Sequence, residues 1–171
     1  MATTSRTTDK NPKNPDTPSI TPLRKATCKS LEGRGKLGYE LGTDDSGSLH
    51  WRISRNSGGG FFSDEWVPFA AIRSALEDWP VEKPMTSFVL RSLFQGKSAN
   101  NASFLLATLL AEGVVVLIEG KRRQYTLGDI AGFLATVATA AHSGPGKASA
   151  KPKAKARSRM AKAPKAARQP K

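Results

Sequence analysis

The chain has 171 residues, room for one modest domain with tails but not for two full domains. Its one cysteine, Cys28, excludes an intrachain disulfide and a cysteine-rich zinc site, and no apolar run approaches the roughly 20 residues that cross a bilayer. The net charge of +13 lies in the ends: residues 144–171 hold ten Lys/Arg and no acid, residues 1–30 six bases and two acids, and residues 31–143 eleven bases and twelve acids.

Residues 1–30 are rich in Thr, Pro, Asn and Lys and poor in apolar side chains, which predicts a disordered arm. The start, MATTSRTTDK, has no apolar signal-peptide core, so the expected compartment is the cytoplasm. Residues 31–67 predict an antiparallel three-stranded β-meander. KLGYELG reads as the first strand and TDDSGS as its turn. In SLHWRIS, Leu49, Trp51 and Ile53 alternate with His50, Arg52 and Ser54, which places His50 outward. NSGGG then punctuates, and FFSDEWV is the third strand candidate, with Trp66 and Phe69 expected to join sheet to helix.

From Pro68 the period changes to that of a helix, with Phe69, Ile72, Leu76 and Trp79 recurring up to Pro80. A second helix is predicted over 86–95, with Met85, Val89 and Leu93 on one stripe and Gly96 as its stop. A third opens at Ser98 as N-cap. Its inner face carries Ala102, Leu105, Leu106, Leu109 and Leu110, and Gly113 closes it. Ala107, Thr108 and Ala111 fall on its outward side, with Phe104 towards the same side. A hairpin turning at Gly120 follows, then a last helix over 129–141 burying Ile130, Phe133 or Leu134, and Val137. Residues 144–171 form a Lys/Ala/Pro tail whose prolines and like charges oppose regular structure.

Helix, helix, short Gly-containing turn, helix, hairpin, helix is the order of a winged helix-turn-helix domain. The phrase LATLLAEGVV, then GKRR and QYTL, resembles the recognition helix and wing of bacterial winged-helix regulators, over about residues 67–141. The expected fold class is therefore α+β: the meander, then a winged helix-turn-helix domain over 68–143, with disordered basic tails. The resemblance implies a DNA-binding protein, a transcriptional regulator or a nucleoid, plasmid or other mobile-element accessory factor. Lys97, Ser98, Asn100, Asn101 and Ser103 would then face the major groove. Lys121, Arg122, Arg123 and Gln124 would lie along the backbone or in the minor groove, and Arg91 is a phosphate candidate. The tail cations Lys147, Lys151, Lys153, Lys155, Arg157, Arg159, Lys162, Lys165, Arg168 and Lys171 would displace counterions with little sequence preference. Tails of this kind resemble those of linker histones and nucleoid proteins, an analogy that places the protein on the nucleoid.

The alternative is a protein-interaction module, docking through Phe104 or through Asp64, Glu65 and Trp66, with the tail acting only as a nucleic-acid tether. RNA stays open as a ligand, because phosphate contacts alone do not separate it from DNA. Ala131, Gly132, Ala135 and Ala138 leave a homodimer open. FQGKS is not a P-loop, since the first glycine of that motif would fall at Arg91. His50 and His142 have no ligand-spaced partner, so neither a metal nor a cofactor is expected. No nucleophile-base or paired-carboxylate spacing supports catalysis, and the reading is of a non-enzymatic protein without a membrane partner.

Overall fold

The computed structural model describes residues 19–80 and 82–142. Residues 1–18 and 143–171, where most of both tails fall, lie outside it. The fold is α+β. An antiparallel sheet has the order β1 (Thr21–Lys29), β2 (Lys36–Thr43), β3 (Leu49–Asn56) and β4 (Val67–Pro68). Helix α1 (Phe69–Glu77), a 3-10 helix (Ser87–Phe94) and α2 (Asn100–Glu112) follow, then the ribbon β5 (Val115–Leu117) and β6 (Tyr125–Leu127), and finally α3 (Ile130–His142). No described helix is long and apolar enough to cross a membrane.

The sheet has four strands rather than three. The additional strand, β1, falls inside the arm expected to be disordered. Ala26 and Cys28 are half-buried while Lys25, Thr27 and Lys29 are exposed, a short alternation that a run of Thr, Pro and Lys obscures. The strand predicted over 61–67 shrinks to Val67–Pro68. Its earlier part does not pair: the Ser63 amide donates instead to the Asn101 side chain at 3.0 Å, which turns the backbone away from β3.

Antiparallel registry sorts the sheet into two faces. On the inner face Ala26, Tyr39 and Ile53 stand in one row and Arg24, Leu41 and Trp51 in the next. On the outer face Lys25, Glu40 and Arg52 form a row of opposite neighbours. Glu40 ion-pairs with Lys25 at 3.0 Å and with Arg52 at 2.7 Å. Trp66 covers this face: Arg52 stacks on its ring at 4.5 Å, and a Cβ added to Gly42 would meet it at 3.1 Å. Trp66 is thus not the link between sheet and helix that the sequence suggests. That link is Trp51, fully buried and stacked on Tyr39 and Phe69, with Phe133 of α3 at 5.5 Å. His50 lies on the outer face, as the alternation predicts, but is buried there, its Nε2 lying 3.0 Å from Asp44 Oδ2.

The second predicted helix is a 3-10 helix. Met85 is drawn into an extended bridge with Tyr125, whose amide donates to the Met85 carbonyl at 2.9 Å. The helix starts after Thr86, whose hydroxyl accepts from the Phe88 amide. Its buried residues are therefore Val89, Leu90 and Phe94 rather than a 3.6-residue stripe. Helix α2 ends as expected at Gly113, left-handed at φ 77°, whose amide reaches the Leu109 and Leu110 carbonyls. In α3, capped by Asp129, Phe133 and Val137 are buried while Leu134 is exposed. One buried cluster runs from Tyr39 in β2 to Val137 in α3.

The charged row on the sheet makes a pH-dependent prediction. Burial raises the Glu40 pKa, but its bonds to Arg52 and Lys25 outweigh that and leave it below the ordinary 4.5. A depressed carboxylate contributes stability above its unfolded pKa and loses it as pH falls through the folded one. Glu40→Gln should cost about 1–3 kcal/mol at pH 7 in urea denaturation, with the deficit shrinking as pH falls below 4.5. An unchanged deficit at acid pH would assign the loss to packing.

Candidate nucleic-acid interface

The predicted site depended on the third helix presenting one face to solvent. Its sequence forbids this once folded. Asn101, Ala102, Leu105, Leu106, Ala107, Thr108 and Leu109 are all buried, and Asn100 and Ala111 alone in α2 are exposed. Ala107 and Thr108, expected outward, are inside, and the Thr108 hydroxyl donates to the Leu105 carbonyl at 2.7 Å. Phe104 is half-buried against the core. Asn101 accepts the Ser63 amide from inside the protein and offers nothing to a base edge.

The remaining candidates divide between two surfaces. Arg91, Lys97 and Ser98 line a groove of about 690 Å³ that also holds Trp79 and Phe88. Each is engaged there. The Arg91 guanidinium lies over the Phe88 ring at 5.8 Å, Lys97 pairs with Glu65 at 3.7 Å, and Ser98 Oγ accepts the Asn100 amide at 3.3 Å. Asp64 and Glu65 form no separate acidic patch, because Glu65 faces Lys97.

The second surface lies where two hairpins meet. The turn between β5 and β6 is closed by the Ile118 amide on the Gln124 carbonyl at 2.9 Å and turns at Gly120, φ 72°. It holds Lys121, Arg122 and Arg123 in solvent while Gln124 is half-buried and Tyr125 is buried. Burial raises the Tyr125 pKa and Arg123 opposes that, so its hydroxyl stays protonated at neutral pH. Beside this turn stands the tip of the β1–β2 hairpin, residues 30–35. The Arg123 Nη2 meets Glu32 at 3.4 Å, and Arg34, Arg122 and Arg123 line one hollow with Leu31 and Glu32. Three arginines and one carboxylate therefore line this hollow.

A cleft of about 610 Å³ adjoins this hollow. The β1–β2 tip, the glycines after β3, Thr86 and Ser87, the start of α2 and Arg123 line it. Asn100, Ser103 and Arg123, chosen separately from the sequence, are brought together here. Arg34 and Asn56 were missed. The signal for Arg34 is LEGRGK between two strands, a pattern that emerges only once residues 21–29 are recognised as a strand. Among the described residues no cluster of three or more His, Cys, Asp or Glu side chains could hold a metal ion.

Scans of protein-family models, of curated proteins and of solved structures each return no match to this chain.

The two neighbouring asparagines separate stability from surface chemistry. Asn101→Ala removes a buried acceptor and should lower unfolding free energy by about 1–3 kcal/mol in urea melts. Asn100→Ala, at an exposed position, should stay within about 0.5 kcal/mol of the parent chain. The reverse ranking would overturn the placement of α2.

Proposed function

We propose that the protein binds DNA through the basic edge where the β5–β6 turn meets the β1–β2 tip, with the Lys/Arg-rich C-terminal sequence adding non-specific affinity. The observation that carries the reading is the convergence of Arg34, Arg122 and Arg123 on one hollow with Glu32 as the opposing acid. Lys121, exposed on the same turn, extends it. Arginines from two hairpins around one hollow suit phosphate oxygens along a strand, because each guanidinium presents several donors in a planar fork.

The chain order α1, 3-10 helix, α2, β5–β6, α3 supports the winged-helix reading of 68–143. The burial of α2 supports a form of it in which the hairpin, rather than the helix, meets the nucleic acid. Base readout by Asn101 is dropped, and contact with the phosphate backbone takes its place. The ten tail cations then act as counterion-displacing groups. If about half engage together, log K falls against log salt with a slope of order −4 to −5 from the tail alone.

The interaction-module alternative has less behind it, since Glu65 on the Asp64–Trp66 segment is paired with Lys97.

The test is a titration of the full chain with a labelled DNA duplex at several salt concentrations. The triple change Arg34, Arg122 and Arg123 to Ala should weaken binding and make the slope shallower by about 3, roughly one per lost phosphate contact. An unchanged slope would assign the affinity to the tail and remove the folded edge from the interface.

A further inference from the structure

We infer that the cleft beside the basic edge holds one unpaired nucleotide of a DNA strand. This rests on the DNA-binding reading above and narrows it to the class of strand. The volume, about 610 Å³, is that of a small-molecule site and accommodates a base with its sugar and phosphate. A duplex, with its bases stacked inside, cannot place one there.

The lining supplies a contact for each part of a nucleotide. Arg34 and Arg123 provide the phosphate donors, and Glu32 is the single acid among them. Its pairing with Arg123 is long, 3.4 Å, and exposed, so an incoming phosphate exchanges one weak partner for a bidentate one. Phe104 offers a half-buried aromatic surface for a base. Asn100 is exposed, and its Nδ2 donates to the Phe61 carbonyl at 3.4 Å, which leaves Oδ1 to accept from a base amino group. The wall is held in place. Asn56 accepts the Gly58 amide at 3.0 Å and donates to the Gly59 carbonyl, so the glycine loop is braced before any ligand arrives. The same groups suit a free nucleotide, and the experiment separates the two sources.

The full chain is titrated by fluorescence anisotropy at fixed salt with a labelled strand of about 12 nucleotides, with its duplex, and with AMP as competitor. The strand should bind roughly tenfold more tightly than the duplex, the gain expected of one stacked base. Phe104→Ala and Asn100→Ala should each remove most of that ratio and leave duplex binding unchanged. Asn100→Ala, at an exposed position, carries the test if Phe104→Ala does not fold. Equal affinity for strand and duplex overturns the inference and leaves DNA binding standing. A strand preference that survives both substitutions also overturns it, because the strand then binds elsewhere. Competition by AMP at micromolar concentration makes a free nucleotide the ligand and overturns the strand assignment. Failure to bind either DNA sinks the function proposed above.

Discussion

Helix α2 must be covered on more than one side. Leu105, Leu106, Leu109 and Ala102 span a broad arc, and Asn101 and Thr108 extend it round the helix, so no single neighbour can shield them all. The sheet, the 3-10 helix and β5 divide the task between them. Each fully buried leucine contributes about 1.5–3 kcal/mol, which only this arrangement recovers. The ends are fixed by polar contacts. Glu112, the last helical residue, sits at the negative end of the helix dipole, where an isolated carboxylate is disfavoured. Arg24 of β1 ion-pairs with it and the Tyr39 hydroxyl donates to it. Burial, the hydrogen bond and the Glu112 charge together hold the Tyr39 hydroxyl well above its ordinary pKa. Burial and the same carboxylate push the Cys28 thiol up to about 11, leaving it protonated and unreactive at neutral pH. Thus α2 requires β1, and β1 requires α2.

That mutual dependence decides where surface chemistry can occur. With α2 and the inner sheet face committed to the core, and the outer face closed over Glu40 by Arg52, Lys25 and Trp66, the connections carry what remains. Connections on a rigid base are good positions for binding groups, because the scaffold fixes them while their side chains stay in water. The two hairpin tips meet this condition. Unbroken pairing from Arg24 and Leu41 to Lys29 and Lys36 sets one, and the Met85–Tyr125 bridge anchors the other. Arg34 and Arg123 are far apart in sequence and share a cleft because both turns are held at their bases.

How much of this was readable depends on whether the signal was local. The alternation around Trp51, the left-handed stop at Gly113 and the order of helices and hairpin are local, and the sequence displays them. The first strand is hidden because its core-facing apolar residues, Leu23, Ala26 and Cys28, are few and two of them small, and its Arg24 pairs with a carboxylate far away in sequence, Glu112. The faces of α2 were misjudged for a related reason. Ala and Thr read as an uncharged outer side, but small residues also mark close packing, and only tertiary neighbours distinguish the two. The Met85–Tyr125 bridge just ahead of the 3-10 helix joins residues that no window of sequence contains. Of the candidate site, Arg123, Asn100 and Ser103 were identifiable by residue type, whereas their shared cleft was not, because its other wall is the tip of the unrecognised hairpin.

The balance of charge then has a physical meaning that the total conceals. Residues 31–143 hold slightly more acid than base, yet a phosphate does not respond to that total. At physiological ionic strength the screening length is about 8 Å, so an exposed group responds to its near neighbours. At the hairpin edge those neighbours are Arg34, Arg122 and Arg123, with Glu32 opposing. The ten cations of residues 144–171 account for most of the net charge of +13, so the total describes that sequence rather than the folded edge. A near-neutral body thus carries a local basic edge that its total charge conceals.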